Sequence, residues 1–313
     1  MPSDICHEEG NNFSGAVAAS RLDLSPRICV VMPAYKAADT IVKAIQSVLN
    51  QKYPNLVVAV AVPSHDVDTL TAAREIGDKQ ILLLEQSGRG IADARNLVLK
   101  NVSADLYMFL DSDDFMKPDV VERYVAHRLA TGKAALRCGH YTELALNSSQ
   151  PEWTRRCPLT GKIQNGFGHL ALLNFIGTGS VMIDREIVTK VGYFDTRFSH
   201  GEDWHYWLRI SKCFPIFVLD VVAYRYTYAK LSRQRPFPRS FFDDGVRVIR
   251  DVNPPWYIEV CSVMCIKSMA ALYYFRTLGS RNSLKQLLDC RLSDIFALPF
   301  AAVILFLRKR ACL

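Results

Sequence analysis

The sequence lacks the usual marks of an exported, disulfide-linked or zinc-binding protein. Residues 1–26 have neither the basic start nor the apolar core of a signal peptide, and we expect them to form a flexible arm. The nine cysteines include no Cys-x-x-Cys pair, and the seven histidines include no helical pair that could hold zinc. This pattern predicts reduced thiols and a cytoplasmic protein.

The sequence also lacks an apolar run of the ~20 residues that an ordinary membrane-spanning helix needs. Residues 295–307 are apolar and interrupted only by Pro299, and a basic triplet follows at 308–310. We expect this segment either to lie in the membrane interface, with the triplet on anionic headgroups, or to pack on the domain as a core helix. Either alternative is compatible with a helical C-terminal region over 236–313. We therefore expect a cytoplasmic protein that is at most peripherally associated with the inner face of the cell membrane.

The positive charge is unevenly distributed. The net charge is +7, and residues 225–313 alone carry 15 Lys and Arg against 6 Asp and Glu. This asymmetry favours an anionic surface or a phosphate-bearing substrate near the C-terminus over nucleic acid, which is not an expected partner.

Short apolar strands alternate with amphipathic helices through the first third of the chain. The strands are predicted at 28–32, 56–62, 81–84 and 106–110, and the helices at 40–49, 68–76 and 91–100. Such alternation predicts an α/β fold with a doubly wound, mostly parallel sheet flanked by helices. After Pro118 we expect a helix to about Ala130, then a less periodic stretch, a helix at 203–212, a strand at 214–222, and a C-terminal helical appendage.

Ligands of such sheets bind beyond the carboxyl ends of the strands, and polar clusters follow three of them. The third cluster is Asp111-Ser112-Asp113-Asp114, directly after a buried strand. Carboxylates this close repel one another, and a divalent cation with oxygen ligands, Mn²⁺ or Mg²⁺, would relieve the repulsion. The alternative is a solvated acidic turn that caps the next helix. The position at a strand end favours the cation site.

Glu202-Asp203 is a second carboxylate pair, at the start of an aromatic-rich helix. Partial burial among aromatic side chains would raise a carboxylate pKa towards that of a useful general base. The alternative is an ordinary acidic first turn, stabilised by the helix dipole. Together with Asp111 to Asp114, the pair would supply the two parts that a group transfer requires: a metal for the leaving group and a base for the nucleophile.

A glycine-rich turn, Ser87-Gly88-Arg89-Gly90, precedes the third helix but is a poor match to a dinucleotide-binding fingerprint. Asp93 occupies the third glycine position, and the turn follows the third strand instead of the first. The turn is better explained as a flexible connection that places Arg95 and Asn96 near a ligand. The less favoured alternative is that Arg95 is a solvated helix residue.

Six segments closely resemble family 2 glycosyltransferases of the GT-A fold, in order and spacing across about residues 28–233. They are Val31-Met32-Pro33-Ala34-Tyr35, the segment from Ser47 to Leu56, Ala94-Arg95-Asn96, Phe109 to Asp114, Val191-Gly192-Tyr193-Phe194-Asp195, and Glu202-Asp203-Trp204 to Arg209. The resemblance implies a GT-A domain at 27–235, with a nucleotide-sugar half at 27–130 and an acceptor half at 131–235. It implies an inverting, metal-dependent enzyme of bacterial polysaccharide biosynthesis, which moves a sugar from a nucleotide sugar to a hydroxyl of a saccharide or lipid-linked saccharide.

The resemblance also implies how the donor is held. Pro33, Ala34 and Tyr35 match the loop that touches the base and ribose of the nucleotide. Arg95 matches a donor-contacting arginine, and Asp111 matches the first aspartate of the Asp-x-Asp motif, near the ribose.

The reacting groups follow from the same resemblance. Asp113 matches the aspartate that coordinates Mn²⁺ or Mg²⁺. Asp203 matches the catalytic base, which deprotonates the acceptor hydroxyl for in-line attack on the anomeric carbon. Glu202 flanks it as an orienting group.

Two positions depart from the family pattern. Where the family usually carries Asp-Asp-Gly-Ser after strand two, and an aspartate reads the base, this sequence has Val62-Pro63-Ser64-His65. Either Asp66 substitutes from nearby, or the donor is not a uridine nucleotide; a UDP-sugar is the leading candidate. Lys36 replaces the usual Asn after Pro-x-Tyr, and its charge either meets a phosphate or faces solvent.

Two other functions remain open from the sequence. Sugar nucleotidyltransferases share the sheet and the aspartate-bound Mg²⁺, but they carry a glycine-rich loop after strand one, and residues 33–36 contain no glycine. A degenerate, non-catalytic sugar-binding protein would explain the missing base-reading aspartate, whereas the presence of both Asp113 and Asp203 argues against it.

Overall fold

The computed structural model describes residues 25–145, 153–228 and 239–277. Its first seven elements alternate strictly between strand and helix, as predicted. They are β1 (Ile28–Pro33), α1 (Ile41–Leu49), β2 (Leu56–Pro63), α2 (Val67–Arg74), β3 (Ile81–Gln86), α3 (Ile91–Asn101) and β4 (Leu106–Phe109). Each boundary lies within two residues of the predicted one.

The apolar pattern of β1 explains why this part of the sheet is covered on both faces. Successive strand residues point to opposite faces, and every residue of β1 is buried. Val30 packs in one core with Ile45 of α1, whereas Val31 packs in the other with Val98 of α3. Strands buried on both sides read as near-continuous apolar runs. The four strands are parallel in the order β3-β2-β1-β4, which confirms the doubly wound arrangement.

The sheet continues through the less periodic part of the chain. The elements there are β5 (Phe115–Met116), α4 (Val120–Thr131), β6 (Leu136–Ala145), β7 (Trp153–Arg155), β8 (Gly161–Lys162), α5 (Gly166–Leu172), a 3-10 turn (Thr178–Ser180), β9 (Met182–Asp184), α6 (Arg185–Val191), α7 (Glu202–Cys213) and β10 (Ile216–Tyr228). The full order is β3-β2-β1-β4-β9-β6-β10-β5, with β7 beside β6 and β8 beside β10. The strand predicted at 214–222 therefore runs further, because residues up to Tyr228 pair with β6.

A buried charge cluster fixes the short strand β9 between β4 and β6. Asp184, the last residue of β9, accepts a hydrogen bond from Arg137 at 2.7 Å and pairs with Arg128 of α4. It also accepts from the backbone amide of Ala135 at 3.1 Å. Removing one partner of such a buried pair is strongly destabilising, so this cluster holds the two parts of the sheet together.

Two helices follow the sheet, α8 (Arg239–Asp251) and α9 (Trp256–Thr277). The second matches the apolar helix predicted from about residue 254. Within the described residues, no helix is both long enough and apolar enough to cross a bilayer. The N-terminal arm up to residue 24 and the apolar segment at 295–307 lie outside the described residues.

Candidate active site

A cavity of about 970 Å³ opens where β1, β2, β3 and β4 end, at the edge where polar clusters were predicted to meet. Its walls come from the loop after β1, the ends of β2 and β3, the start of α3, the acidic cluster and the end of β10. The residues lining it are Pro33, Ala34, Tyr35, Lys36, Ala37, Thr40, Pro63, His65, Gln86, Gly88, Arg89, Gly90, Ile91, Ala94, Asp111, Ser112, Asp113, Tyr226 and Thr227. Five of the nine predicted site residues are among them.

The loop after β1 is held in shape from behind by Asp66. The Asp66 carboxylate accepts the Lys36 amide at 2.5 Å and the Thr69 amide, at the start of α2, at 3.4 Å. Burial alone would raise the pKa of Asp66, but these hydrogen bonds outweigh it and hold the pKa below its ordinary value. Asp66 lines a second depression, which shares Tyr35, Lys36 and His65 with the 970 Å³ cavity. Its predicted contact with the nucleotide base stays a prediction.

The end of the cavity away from the acidic cluster is lined by His65 and Gln86. The ring of His65 meets that of Tyr35 edge-on, with 6.1 Å between their centroids. Gln86 Nε2 donates to the Gly90 carbonyl at 3.0 Å and to Asp93 at 3.1 Å, and since both partners can only accept, the amide orientation is determined. Gln86 is not among the residues predicted for the site, because its position at the end of a strand is the only feature of the sequence that indicates it.

The carboxylates of the acidic cluster lie in two different environments. Asp111 and Asp113 line the cavity. Asp114 is buried, and its carboxylate accepts the Thr227 amide at 2.8 Å, which ties the end of β10 to the cluster. Burial, and then the neighbouring Asp111, raise the pKa of Asp114 to about 9 and also raise that of Asp113.

Arg95 is buried and joins the acidic cluster to α7. Its Nη2 lies 3.0 Å from Asp111 Oδ1, and its Nη1 lies 2.8 Å from Glu202 Oε1. Burial would lower the pKa of Arg95, but Asp111 and Glu202 outweigh it and hold the pKa above its ordinary value. Arg95 is not among the residues that line the cavity. It bridges two parts of the site, and its predicted contact with the donor stays a prediction.

The first turn of α7 carries both predicted catalytic carboxylates. Gly201 precedes it with a φ of 75°, a left-handed conformation that glycine adopts without strain. Asp203 Oδ2 accepts the Thr178 hydroxyl at 2.7 Å, and Oδ1 accepts the Trp204 amide at 2.6 Å. Burial, and then the charge of Asp203, raise the pKa of Glu202. Neither carboxylate lines the cavity itself; the connection to it runs through Arg95.

A second group of possible metal ligands in the described residues already has a cationic partner. Asp195, His205 and Asp251 have ligand atoms within 4.8 Å of one another. Arg197 donates to Asp195 at 2.5 Å and to Asp251 at 3.0 Å, however, and His205 lies 3.0 Å from Asp251. The guanidinium supplies the positive charge that a cation would bring. His205, which the sequence places two residues after Asp203, is therefore a structural partner of α8.

Comparison with known proteins identifies the family. Residues 29–190, which include the cavity-lining loops from β1 to the acidic cluster, match the family described as Glycosyl transferase family 2. The chain belongs to this family. The match covers more than half of the sequence, so the predicted family is confirmed, and the glycosyltransferase class with it.

Relatives of the family come from several bacteria. The chain is 30% identical over 187 residues to the UDP-Glc:alpha-D-GlcNAc-diphosphoundecaprenol beta-1,3-glucosyltransferase WfgD of Escherichia coli, covering 59% of this chain and 70% of WfgD. It is 26% identical over 192 residues to WfaP of the same organism, whose name gives the same activity, covering 58% and 69%. An uncharacterized glycosyltransferase of Rickettsia prowazekii is 24% identical, and the match spans 61% of that protein.

Solved structures of glycosyltransferases share the fold. Residues 1–349 of TarS from S. aureus, in complex with UDP, superpose with a TM-score of 0.59 at 15% identity, covering 91% of this chain and 88% of that one. The mannosyltransferase PcManGT from Pyrobaculum calidifontis, in complex with GDP-Man and Mn²⁺, gives a TM-score of 0.51 at 17% identity, covering 89% and 73%. These similarities confirm the predicted GT-A fold class.

Proposed function

We propose that this family 2 enzyme transfers a sugar from a nucleotide sugar to a saccharide hydroxyl, with inversion, in polysaccharide biosynthesis. The observation that carries the proposal is the Arg95 bridge, which links Asp111 at the cavity to Glu202, next to Asp203. These two ion pairs join the donor cavity to the residue that precedes the candidate base, and that base must act at the anomeric carbon of the bound donor.

The donor is proposed to lie in the 970 Å³ cavity. Pro33, Ala34 and Tyr35 hold the base and ribose, and Asp111 lies towards the ribose and diphosphate. A UDP-sugar is the leading candidate, since the printed name of WfgD specifies UDP-Glc and TarS was solved with UDP. A GDP-sugar is the alternative, as in the PcManGT complex.

Asp113 is proposed to hold Mn²⁺ or Mg²⁺, and the residues fit such an ion. Asp111 and Asp113 offer only oxygen ligands to the cavity, which suits these hard cations. The raised pKa of Asp113 reflects burial and repulsion from Asp111, a cost that a divalent cation would remove. When bound, the cation supplies positive charge for the diphosphate leaving group.

Asp203 is proposed as the general base. It takes the proton of the acceptor hydroxyl while that oxygen attacks the anomeric carbon, and the bond from the sugar to the diphosphate breaks with release of the nucleoside diphosphate. The Thr178 hydroxyl and the Trp204 amide orient its carboxylate. Glu202 and Arg95 set the position of the helix turn that carries it.

The acceptor is proposed to be a lipid-linked saccharide, and the enzyme to work in the cytoplasm, on the inner face of the membrane. Support comes from WfgD and WfaP, whose names specify a diphosphoundecaprenol-linked acceptor. Recovery of the full chain with membranes after cell fractionation is the expected result. Complete recovery in the soluble fraction at physiological salt would contradict the membrane part of the proposal.

A thermal-shift screen tests the proposed function. The protein is heated with UDP-, GDP- and dTDP-sugars, with and without Mn²⁺, and with EDTA as control. A true donor at 100 times its Kd stabilises the protein by ~2.7 kcal/mol through mass action. We expect one nucleotide to raise the Tm only with metal, and Asp113→Asn to lose this response. No response to any nucleotide sugar would contradict the proposal and favour a non-catalytic protein.

A further inference from the structure

A row of side chains crosses three strands beside the donor cavity. Tyr226 of β10 is the register partner of Glu143 of β6, and Glu143 is the register partner of Trp153 of β7. Register partners on neighbouring strands present their side chains to the same face of a sheet. Tyr226, Glu143 and Trp153 therefore form one row, and the outer two members are aromatic.

The next row inwards consists of Tyr224, Tyr141 and Arg155, and contacts join the two rows into one surface. The rings of Tyr141 and Tyr224 stack at 5.2 Å, and that of Tyr141 meets Tyr226 edge-on at 6.4 Å. Arg155 Nε lies 3.0 Å from Glu143 Oε1, and its Nη2 lies 3.2 Å from Oε2. The charged pair is thus held between aromatic side chains in two-point geometry.

This surface is continuous with both parts of the proposed active site. Tyr226 lines the donor cavity together with Asp113. On the inner row, a Cβ on Gly177 would lie 2.5 Å from the Tyr224 hydroxyl oxygen, so the turn packs directly against that ring. Thr178, the next residue in the turn, donates to Asp203. A ligand lying on the outer row would therefore have one end beside the donor and the proposed base.

The exposure of the outer row points to a ligand. The relative exposure of Trp153 is 68% and that of Tyr226 is 38%, whereas Glu143 between them is buried at 8%. Adjacent strands lie about 4.8 Å apart, so the row spans about 10 Å, more than one pyranose ring can cover. Aromatic faces pack on the C–H faces of pyranose rings, and a fixed carboxylate and guanidinium bind their hydroxyls.

We propose that Trp153, Glu143, Arg155 and Tyr226 form an acceptor platform that binds a saccharide and directs its terminal hydroxyl towards Asp203. Trp153 stacks on the ring further from the reacting hydroxyl, and the Glu143–Arg155 pair sets its rotation through hydrogen bonds. This inference rests on the proposed function, since the bound saccharide is the acceptor of the same reaction. It adds the residues that select the acceptor.

Saccharide binding without turnover tests the platform. Saturation-transfer NMR is recorded for wild type, Trp153→Ala, Glu143→Gln and Thr154→Ala with a panel of methyl glycosides of glucose, galactose, their N-acetylated forms and their β-linked disaccharides. UDP with Mn²⁺ is titrated into the same samples. Thr154 is the matched control, because it is exposed on the same strand but points to the opposite face.

We expect at least one disaccharide to bind the wild type, with affinity lower by about tenfold in Trp153→Ala and lower in Glu143→Gln, but unchanged in Thr154→Ala. UDP binding should be equal in all four proteins. The platform would be overturned if the disaccharide bound wild type and Trp153→Ala alike, or if no member of the panel bound the wild type. In either case, binding of UDP would leave the proposed function intact. If the wild type bound neither a saccharide nor UDP, the proposed function itself would be rejected.

Discussion

Arg95 and Glu202 form a buried ion pair, with 2.8 Å between Nη1 and Oε1, although 107 positions separate them in the sequence. The second terminal nitrogen of the same guanidinium lies 3.0 Å from Asp111. One side chain therefore fixes the distance between the donor cavity and the turn that carries Asp203. We regard Arg95 as a positioning residue.

Replacing Arg95 by Lys should lower kcat more than it changes KM for the donor. A lysine carries the charge but cannot engage two carboxylates in a planar fork, so α7 would shift relative to the cavity. Misplacement of reacting groups by about 1 Å can cost about 10²-fold in rate. Arg74→Lys is the control, since Arg74 forms a solvent-exposed pair with Glu85. Steady-state kinetics with an unchanged kcat for Arg95→Lys would show that the bridge has no part in positioning.

Replacing Asp203 by Asn should leave the fold and donor binding intact and lower kcat by ~10² or more, as expected for loss of a general base. The Asn oxygen can still accept the Trp204 amide, and its NH2 group can donate to the Thr178 hydroxyl oxygen, so both contacts are kept and the loop should not move. Asp68→Asn, at the exposed first turn of α2, controls for removing a carboxylate from a helix start. Near-normal turnover of Asp203→Asn would mean that another group takes the proton.

The stabilising effect of Asp66 should disappear in acid. Hydrogen bonds from the Lys36 and Thr69 amides hold the pKa of Asp66 below its ordinary value of 3.8, against the effect of burial. A lowered carboxylate pKa stabilises the folded state above the unfolded pKa, and the effect is lost as the pH falls through the folded one. Asp66→Asn should therefore lower the free energy of unfolding by ~1 kcal/mol at pH 7 and by less below pH 4. Urea titrations at pH 7, 5 and 3.5 measure this, and a difference that grows in acid would contradict it.

Lys36 is strained, and relieving the strain should stabilise the protein. Its φ is 51°, in the left-handed region that costs most L-residues roughly 1 kcal/mol and that Asn and Gly tolerate best. Lys36→Asn should raise the free energy of unfolding by about 0.5 kcal/mol in the absence of nucleotide. Lys36→Ala, which retains a β-carbon without the preference of Asn, should not. Equal stabilities of the two variants would remove the strain argument.

The parallel half of the fold could be predicted from the sequence because its strands are buried on both faces. The apolar run Leu56–Pro63 is short and rich in valine, which favours a buried strand over a buried helix, and the acidic cluster then falls at a strand end. The strand Met182–Asp184 could not be found in this way, since three residues carry no period. The strand Leu136–Ala145 lacks a regular apolar alternation, because several of its buried residues are polar and paired within the fold, such as Arg137 with Asp184, so its composition resembles that of a loop.

The sequence names candidate site residues but not the contacts between them. The motifs that resemble the family named Asp111, Asp113, Glu202 and Asp203, and the first two line the cavity. The sequence also singled out Arg95, but no local pattern reveals that its partners lie 16 and 107 positions away. Trp153 sits in a strand of three exposed residues, and only pairing with β6 brings it into a row with Tyr226.

The configuration of the transferred sugar tests the central claim most directly. The nucleotide sugar that stabilises the protein in the thermal-shift screen is incubated with Mn²⁺ and a short-chain alkyl diphosphate carrying α-linked N-acetylglucosamine, and the anomeric proton of the new linkage is followed by NMR. The account predicts that an α-linked donor sugar becomes β-linked in the product, that EDTA stops the reaction, and that Asp203→Asn slows it by ~10² or more. An α-linked product, or equal rates with EDTA or with Asp203→Asn, would contradict it.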